Sequence, residues 1–184
     1  PKTSGGSTSV TPPSLTSITP SAAATGTSVT IVGTGFGSGS TTRTVPFAAP
    51  NGGKTTVTPT SASSTSLSVV VPANAVDGLV SVTAGTLASS NSLPFTVTNP
   101  RPGGATPTSA FQGDTVTLDI TGAKFQSGMA VALSPADANT TVGTPIFIDS
   151  THVQVPVTLN SNAATGLRNL VLTNPNNGGT GTLT

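Results

Sequence analysis

Between Gly26 and Gly37 the chain reads GTSVTIVGTGFG, with Val29 and Ile31 alternating with Ser28 and Thr30. A period of two puts one set of side chains on a buried face and the other in water, the pattern of a β-strand half covered by a core. A Gly-Thr-Gly break ends the run, and Phe36 follows as a lone large apolar residue where the chain turns. The pattern returns over 113–128, GDTVTLDITGAKFQSG. Gly26 matches Gly113, Val29 and Ile31 match Val116 and Leu118, and Phe36 matches Phe125 after a short insertion. The chain therefore reads as two copies of one unit.

Taken in order, residues 1–13 have the composition of a linker, Gly, Ser, Thr and Pro around a single Val10. This tail is expected either to pack on its own first domain or to dock on another copy. Leu15 and Ile18 mark a first strand over 14–20 that Pro20 stops. Val45 and Phe47, then Val57, then Leu67, Val69 and Val71 fall on alternating positions, with a hairpin turn at Asn51-Gly52-Gly53. A strand over 79–84 and another over 93–98 close the unit. About seven short strands separated by turns predict an antiparallel sandwich. Ser21 to Ala24 is too short, and too close to Pro20, to nucleate a helix.

In the second unit, 113–120, 129–134, 145–148, 152–159 and 166–173 are the expected strands. Its closing stretch, 178–184, looks cut short beside the SLPFTVTNP that ends the first unit. The predicted organisation is a linker or donor segment at 1–13, a first sandwich at 14–98, a Pro-containing linker at 99–104 and a second sandwich at 105–184. The fold class is all-β, two tandem Ig-like antiparallel sandwiches.

Composition narrows the functional classes. With 184 residues, each unit holds one small core and no large enzyme fold. Charged residues are 6% of the chain and the net charge is +1, against about 25% charged in an ordinary soluble domain. No basic field exists for nucleic acid or an anionic membrane. Cysteine is absent, so no disulfide framework or thiolate metal site can form. No signal peptide begins the chain and no apolar run reaches the ~18 residues that span a bilayer. A Ser/Thr/Gly-rich, charge-poor chain of this kind is expected outside the cell or on its surface, as a mature or excised segment.

Ser17 to Phe36, SITPSAAATGTSVTIVGTGF, resembles the opening of an IPT/TIG immunoglobulin-like domain: strand, Pro-Ser, a Gly-Thr turn, strand, then a Gly-x-Gly-Phe hook. Val69 to Thr83 and Asn91 to Val97 fit the same template, and 107–173 resembles a more divergent member, with Ile120 to Phe125 in place of the cleaner hook. The resemblance implies an Ig-like sandwich, usually used in tandem as spacer or interaction modules of extracellular proteins. It carries no catalytic residues across.

Candidate chemistry is sparse. His152, the one histidine, opens a strand and is expected to face solvent; a Ser/His/Asp arrangement would have to use Asp149, and no nucleophile-elbow motif accompanies them. Asp77, Asp114, Asp119, Asp137 and Asp149 are spread singly, whereas calcium needs several oxygen ligands in one loop. Gly33 to Gly37 lacks the lysine and following helix of a phosphate loop. No cofactor, metal or catalytic residue is expected. Sugar-binding faces usually present Trp or Tyr, and both are absent here. Phe36, Phe47, Phe95, Phe125 and Phe147 fall in core-like registers, which leaves Phe111 as the one candidate for exposure. Asn139-Thr140-Thr141 is an N-glycosylation sequon.

The leading expectation is therefore a non-catalytic structural subunit or module of an extracellular assembly: a filament or pilus-like fibre, a stalk or a tandem-repeat surface protein. Its partners would be copies of itself or neighbouring repeats. Contact would run through Val10, Thr11 and Pro12 of the tail, laid by strand addition against an edge left open at Thr182, Leu183 and Thr184. The second expectation is an adhesin or carbohydrate-binding accessory domain of a secreted enzyme, and an enzyme ranks last.

Overall fold

The alternation read from the sequence is the alternation of burial. In the computed structural model, which describes residues 11–184, strand β3 (Ser28–Thr34) buries Val29, Ile31 and Gly33 and exposes the residues between them. Its neighbours in one antiparallel sheet are β1 (Ser14–Thr19) on one side and β7 (Ser66–Val70) on the other, with β6 (Ser61–Ala62) outermost. A second sheet pairs β4 (Arg43–Ala48) with β5 (Lys54–Val57) and, on its other edge, with β9 (Thr83–Ala84) and β10 (Leu87–Ala88). A third joins β2 (Ala22–Ala23), β11 (Leu93–Val97) and β8 (Gly78–Val80). The inward residues of these sheets form one core, in which the Phe47 and Phe95 rings meet edge to face with centroids 5.5 Å apart.

The β4–β5 hairpin turns at Pro50–Gly52, as the Asn-Gly-Gly signal predicts, with Asn51 and Gly52 both at positive φ. One expectation is corrected here. The stretch 79–84 is two strands, not one: β8 pairs with β11, and β9 pairs with β4 in a different sheet. Val80 and Val82 are both buried, so the alternation runs unbroken through the crossing and gives no sign of it.

In the second half, β13 (Thr115–Ala123) and β17 (His152–Leu159) form the centre of a sheet. β12 (Arg101–Thr106) lies on one side, and β15 (Thr140–Val142) and β16 (Ile146–Asp149) both pair with the other edge of β17. The opposing sheet is β14 (Ala130–Ser134), β18 (Asn169–Thr173) and β19 (Thr180–Leu183). Ile120, Val153, Val155 and Val157 from the first sheet meet Val131, Leu170 and Leu172 from the second in a single core that Phe125 and Met129 complete.

The linker expected at 99–104 is strand from Arg101 onward. Pro and Gly made Arg101-Pro102-Gly103-Gly104 look like a connector, but Pro102 needs no ladder donor on an edge strand, and a register shift between Pro102 and Gly104 absorbs the rest. The chain divides into two compact units, one running to Ala22 and resuming over Gly26–Thr96, the other taking Ala23–Thr25 and Val97–Thr184.

Each half repeats one device. A Cβ on Gly33 would overlap the Ser14 carbonyl oxygen and stand 2.7 Å from Phe36 Cζ. A Cβ on Gly122 would overlap the Arg101 carbonyl oxygen and stand 2.6 Å from Phe125 Cζ. A glycine thus makes room both for the adjacent edge strand and for the tip of a buried phenyl ring. In the first half the hook is also tied by Arg43, whose Nε donates to Phe36 O (2.7 Å) and whose guanidinium donates to Thr41 O (2.9 Å).

Candidate functional site

Three loops stand at one end of the second sandwich: 107–114 between β12 and β13, 135–139 between β14 and β15, and 160–168 between β17 and β18. Backbone bonds close the first against the last residue of β17, from which the third departs: Gly113 N to Leu159 O and Leu159 N to Asp114 O, each 2.8 Å. The Asp114 carboxylate accepts from Phe111 N–H (3.0 Å), an Asx-type closure that fixes the backbone carrying the phenyl ring, and Gly113 supplies the positive φ of the turn. Gln112 Nε2 donates to Ala163 O (2.6 Å). Asn160 N–H donates to Asn139 O (2.9 Å), which brings in the remaining loop.

Asp137 is the hub of that loop. Its carboxylate accepts from Ala164 N–H (2.8 Å), Thr140 Oγ1 (3.0 Å) and Asn139 N–H (3.2 Å). The Ala164 N–H, then the Asn139 N–H, favour the charged form and hold its pKa below the ordinary 3.8, with Arg168 adding attraction. A group whose pKa is depressed by folding stabilises the fold at pH above its unfolded value and loses that contribution as pH falls through the folded one. Asp137→Asn is therefore expected to lower the melting temperature at pH 7, and the difference from the unsubstituted protein should shrink below pH 3.8. Thermal unfolding followed by circular dichroism at pH 7 and pH 3 checks this.

On this frame Phe111 is 83% exposed and Leu167 is 96% exposed. The other phenylalanines are in the cores or, for Phe147, packed against one, so the residue that the strand registers left over is the aromatic that the loop presents to water. Around it the loops offer amides and hydroxyls, Ser109, Asn162 and Thr165 among them, all exposed. A cavity of about 250 Å³ opens along β14 and β15, with Asp137 and Arg168 of the other two loops in its wall.

The other sequence candidates fall elsewhere. His152 is half-buried, its Nε2 against Asp119 Oδ1 on the neighbouring strand rather than against Asp149. Asp149 is taken by Thr151, whose N–H and hydroxyl both donate to it at 2.7 Å. Among the described residues no three His, Cys, Asp or Glu side chains are grouped to hold a metal ion. Asn139 is half-buried within the Asp137 loop.

Val10 lies outside the described residues. Thr11 and Pro12 are exposed ahead of β1, and Pro13 is buried on its own domain, its carbonyl accepting from Ser90 N–H (2.8 Å). Thr182 and Thr184 are exposed, while Leu183 is half-buried opposite Leu170. β19 pairs with β18 over its whole length, and a Cβ on Gly181 would overlap the Pro100 carbonyl oxygen, so the chain's own Pro100 lies against this strand.

A groove of about 700 Å³ in the first unit is lined by the Pro50–Gly53 turn, Lys54, Asp77, Leu79 and the 88–92 segment. Several of its polar groups are committed to holding the fold: Ser89 Oγ donates to Asn91 O, Ser90 Oγ to Pro13 O and Asn91 Nδ2 to Leu15 O.

The class is then an all-β protein of Ig-like antiparallel sandwiches, with its exposed chemistry on loops. Residues 13–97 match the IPT/TIG domain family, and this part of the chain is an IPT/TIG domain. No curated protein matches the chain by sequence. Among solved structures, SGBP-B from a complex xyloglucan utilization locus in Bacteroides uniformis is 19% identical, with a TM-score of 0.34 over 93% of this chain and 48% of that one. A structure with xylogluco-oligosaccharide is 17% identical, TM-score 0.34, over 93% and 39%. The surface glycan-binding protein PbSGBP-B from Prevotella bryantii is 14% identical, TM-score 0.31, over 88% and 36%. This chain spans less than half the length of each. Among the described residues no helix is long and apolar enough to cross a membrane.

Proposed function

We propose that the chain is a non-catalytic Ig-like module of an extracellular surface protein that binds a neutral carbohydrate at the loop end of its second sandwich, with the IPT/TIG domain as a spacer. The second sandwich reads as a divergent copy of the first, on the strength of the repeated glycine and phenylalanine hook. One observation carries the proposal: a phenyl ring, 83% exposed, stands on a loop whose backbone is pinned by its own aspartate and tied to the 160–168 loop, which is itself bonded to 135–139. A rigid scaffold presenting a loop aromatic is how sandwich folds build binding surfaces. The ring supplies a flat apolar face for the C–H side of a sugar, and the amides and hydroxyls beside it suit sugar hydroxyls. Asp137 and Arg168, on the other two loops of this end, balance each other, which favours an uncharged ligand over an anionic one.

The polymerising role expected for the tail and the last strand is not part of this proposal. Its donor segment falls largely outside the described residues, and its acceptor strand lies against Pro100 of the same chain. The experiment is retention on immobilised neutral polysaccharides with soluble oligosaccharides as competitors, xylogluco-oligosaccharide included. Retention by a neutral glycan, displaced by its own oligomer, is the expected result; no retention on any neutral glycan overturns the proposal.

A further inference from the structure

The cavity along β14 and β15 has a chemistry of its own. Ala132 and Leu133 of β14 and Val142 of β15 give it an apolar side, and Thr140, Asp137 and Arg168 a polar one. The oxygens of Asp137 already accept the Asn139, Ala164 and Thr140 donors, and the Thr140 hydroxyl hydrogen is used on Asp137. Arg168 is the donor left over. One of its five N–H groups goes to Ala164 O (3.1 Å), and its other N–H groups have no acceptor among the described residues.

The wall thus offers hydrogen-bond donors opposite aliphatic carbon, and the guanidinium charge is offset by Asp137. The complement is a neutral carbonyl oxygen carried next to a methyl group. A free carboxylate would meet the Asp137 charge, and a bare hydroxyl would leave the apolar side against water. With about 250 Å³ the cavity has room for such a substituent but not for a further sugar chain. Arg168 follows Leu167 in the loop that Gln112 ties to Phe111, so a ring stacked on the aromatic would lie on the loop frame from which this wall is built.

We infer that this cavity is an acetyl subsite, which makes the preferred ligand an acetylated sugar, N-acetyl or O-acetyl, rather than the plain glycan. The inference rests on the carbohydrate reading of the loop end.

The test is calorimetric titration of the whole chain with chitotetraose against cellotetraose, which differ by the acetamido groups, and with acetylated against alkali-deacetylated xylan oligosaccharides. In at least one pair the acetylated member should bind about tenfold more tightly, the discrimination expected of a filled apolar pocket with one added hydrogen bond. Ala132→Leu, on an exposed position of an edge strand, fills the cavity, and Arg168→Met removes the donor. Ala132→Leu should remove most of the preference while leaving affinity for the unacetylated partner, and Arg168→Met should remove the preference too, with circular dichroism confirming the fold.

Equal binding of both members of each pair, still weakened by loss of Phe111, overturns the acetyl subsite and leaves the carbohydrate reading intact. A preference that neither substitution alters also overturns it. Absence of any binding removes both.

Discussion

Phe111→Ala is expected to weaken carbohydrate binding by about 30- to 100-fold while leaving the unfolding midpoint in urea unchanged. Covering a phenyl side chain is worth about 2–3 kcal/mol relative to leaving it in water, and 1.4 kcal/mol is a factor of ten in affinity. In the free protein the ring is 83% exposed, so its removal costs the fold almost nothing, as for other surface changes within about 0.5 kcal/mol. A binding residue and a packing residue thus separate in one pair of measurements. Phe147→Ala is the contrast: that ring packs against the second core, and its loss should lower the urea midpoint. Phe111→Trp keeps an aromatic face on the same backbone and should restore binding. If Phe111→Ala binds its glycan as tightly as the unsubstituted chain, the loop end is not the site.

Much of the fold could be read from the chain because burial here follows a strict period of two. β17 begins and ends at the expected residues, His152 and Leu159, and β1 and β14 lie within one residue of theirs. Phe111 stood out by the same logic, as the phenylalanine with no place in a strand register. What escaped was set by partners far along the chain. The crossing between β8 and β9 sits inside an unbroken alternation, because Val80 at the end of β8 and Val82 just before β9 are both buried although the two strands join different sheets. β12 escaped because Pro and Gly describe a linker until an edge position removes their cost. Asp137 and Arg168 are far apart in sequence, and neither has a motif around it; only the closure of two loops makes them one wall. Buried Arg43 was as silent, since its acceptors are backbone carbonyls that any sequence would supply.

The same limits apply to the hooks, where sequence and structure agree on the residues but only the structure gives the reason. Phe36→Ala is expected to destabilise the first sandwich by about 3–5 kcal/mol, the usual cost of emptying a fully buried aromatic site. Against a total stability of about 5–15 kcal/mol, that brings a small domain close to unfolding at room temperature. The glycine tests the mechanism separately. Gly122→Ala adds one methyl group, which should ordinarily favour folding by restricting the unfolded chain. Here the added carbon overlaps the Arg101 carbonyl oxygen and crowds Phe125 Cζ and Pro102 Cα. Two of these neighbours are backbone of a paired strand and cannot turn aside as a side-chain tip would, so the substitution should cost about 1–3 kcal/mol. Gly33→Ala should do the same against Ser14 and Phe36 in the other sandwich. Urea unfolding of the three variants decides the matter. If either glycine variant proves as stable as the parent, the room for the phenyl ring is not what these glycines provide, and the physical case for reading the two sandwiches as copies of one unit falls with it.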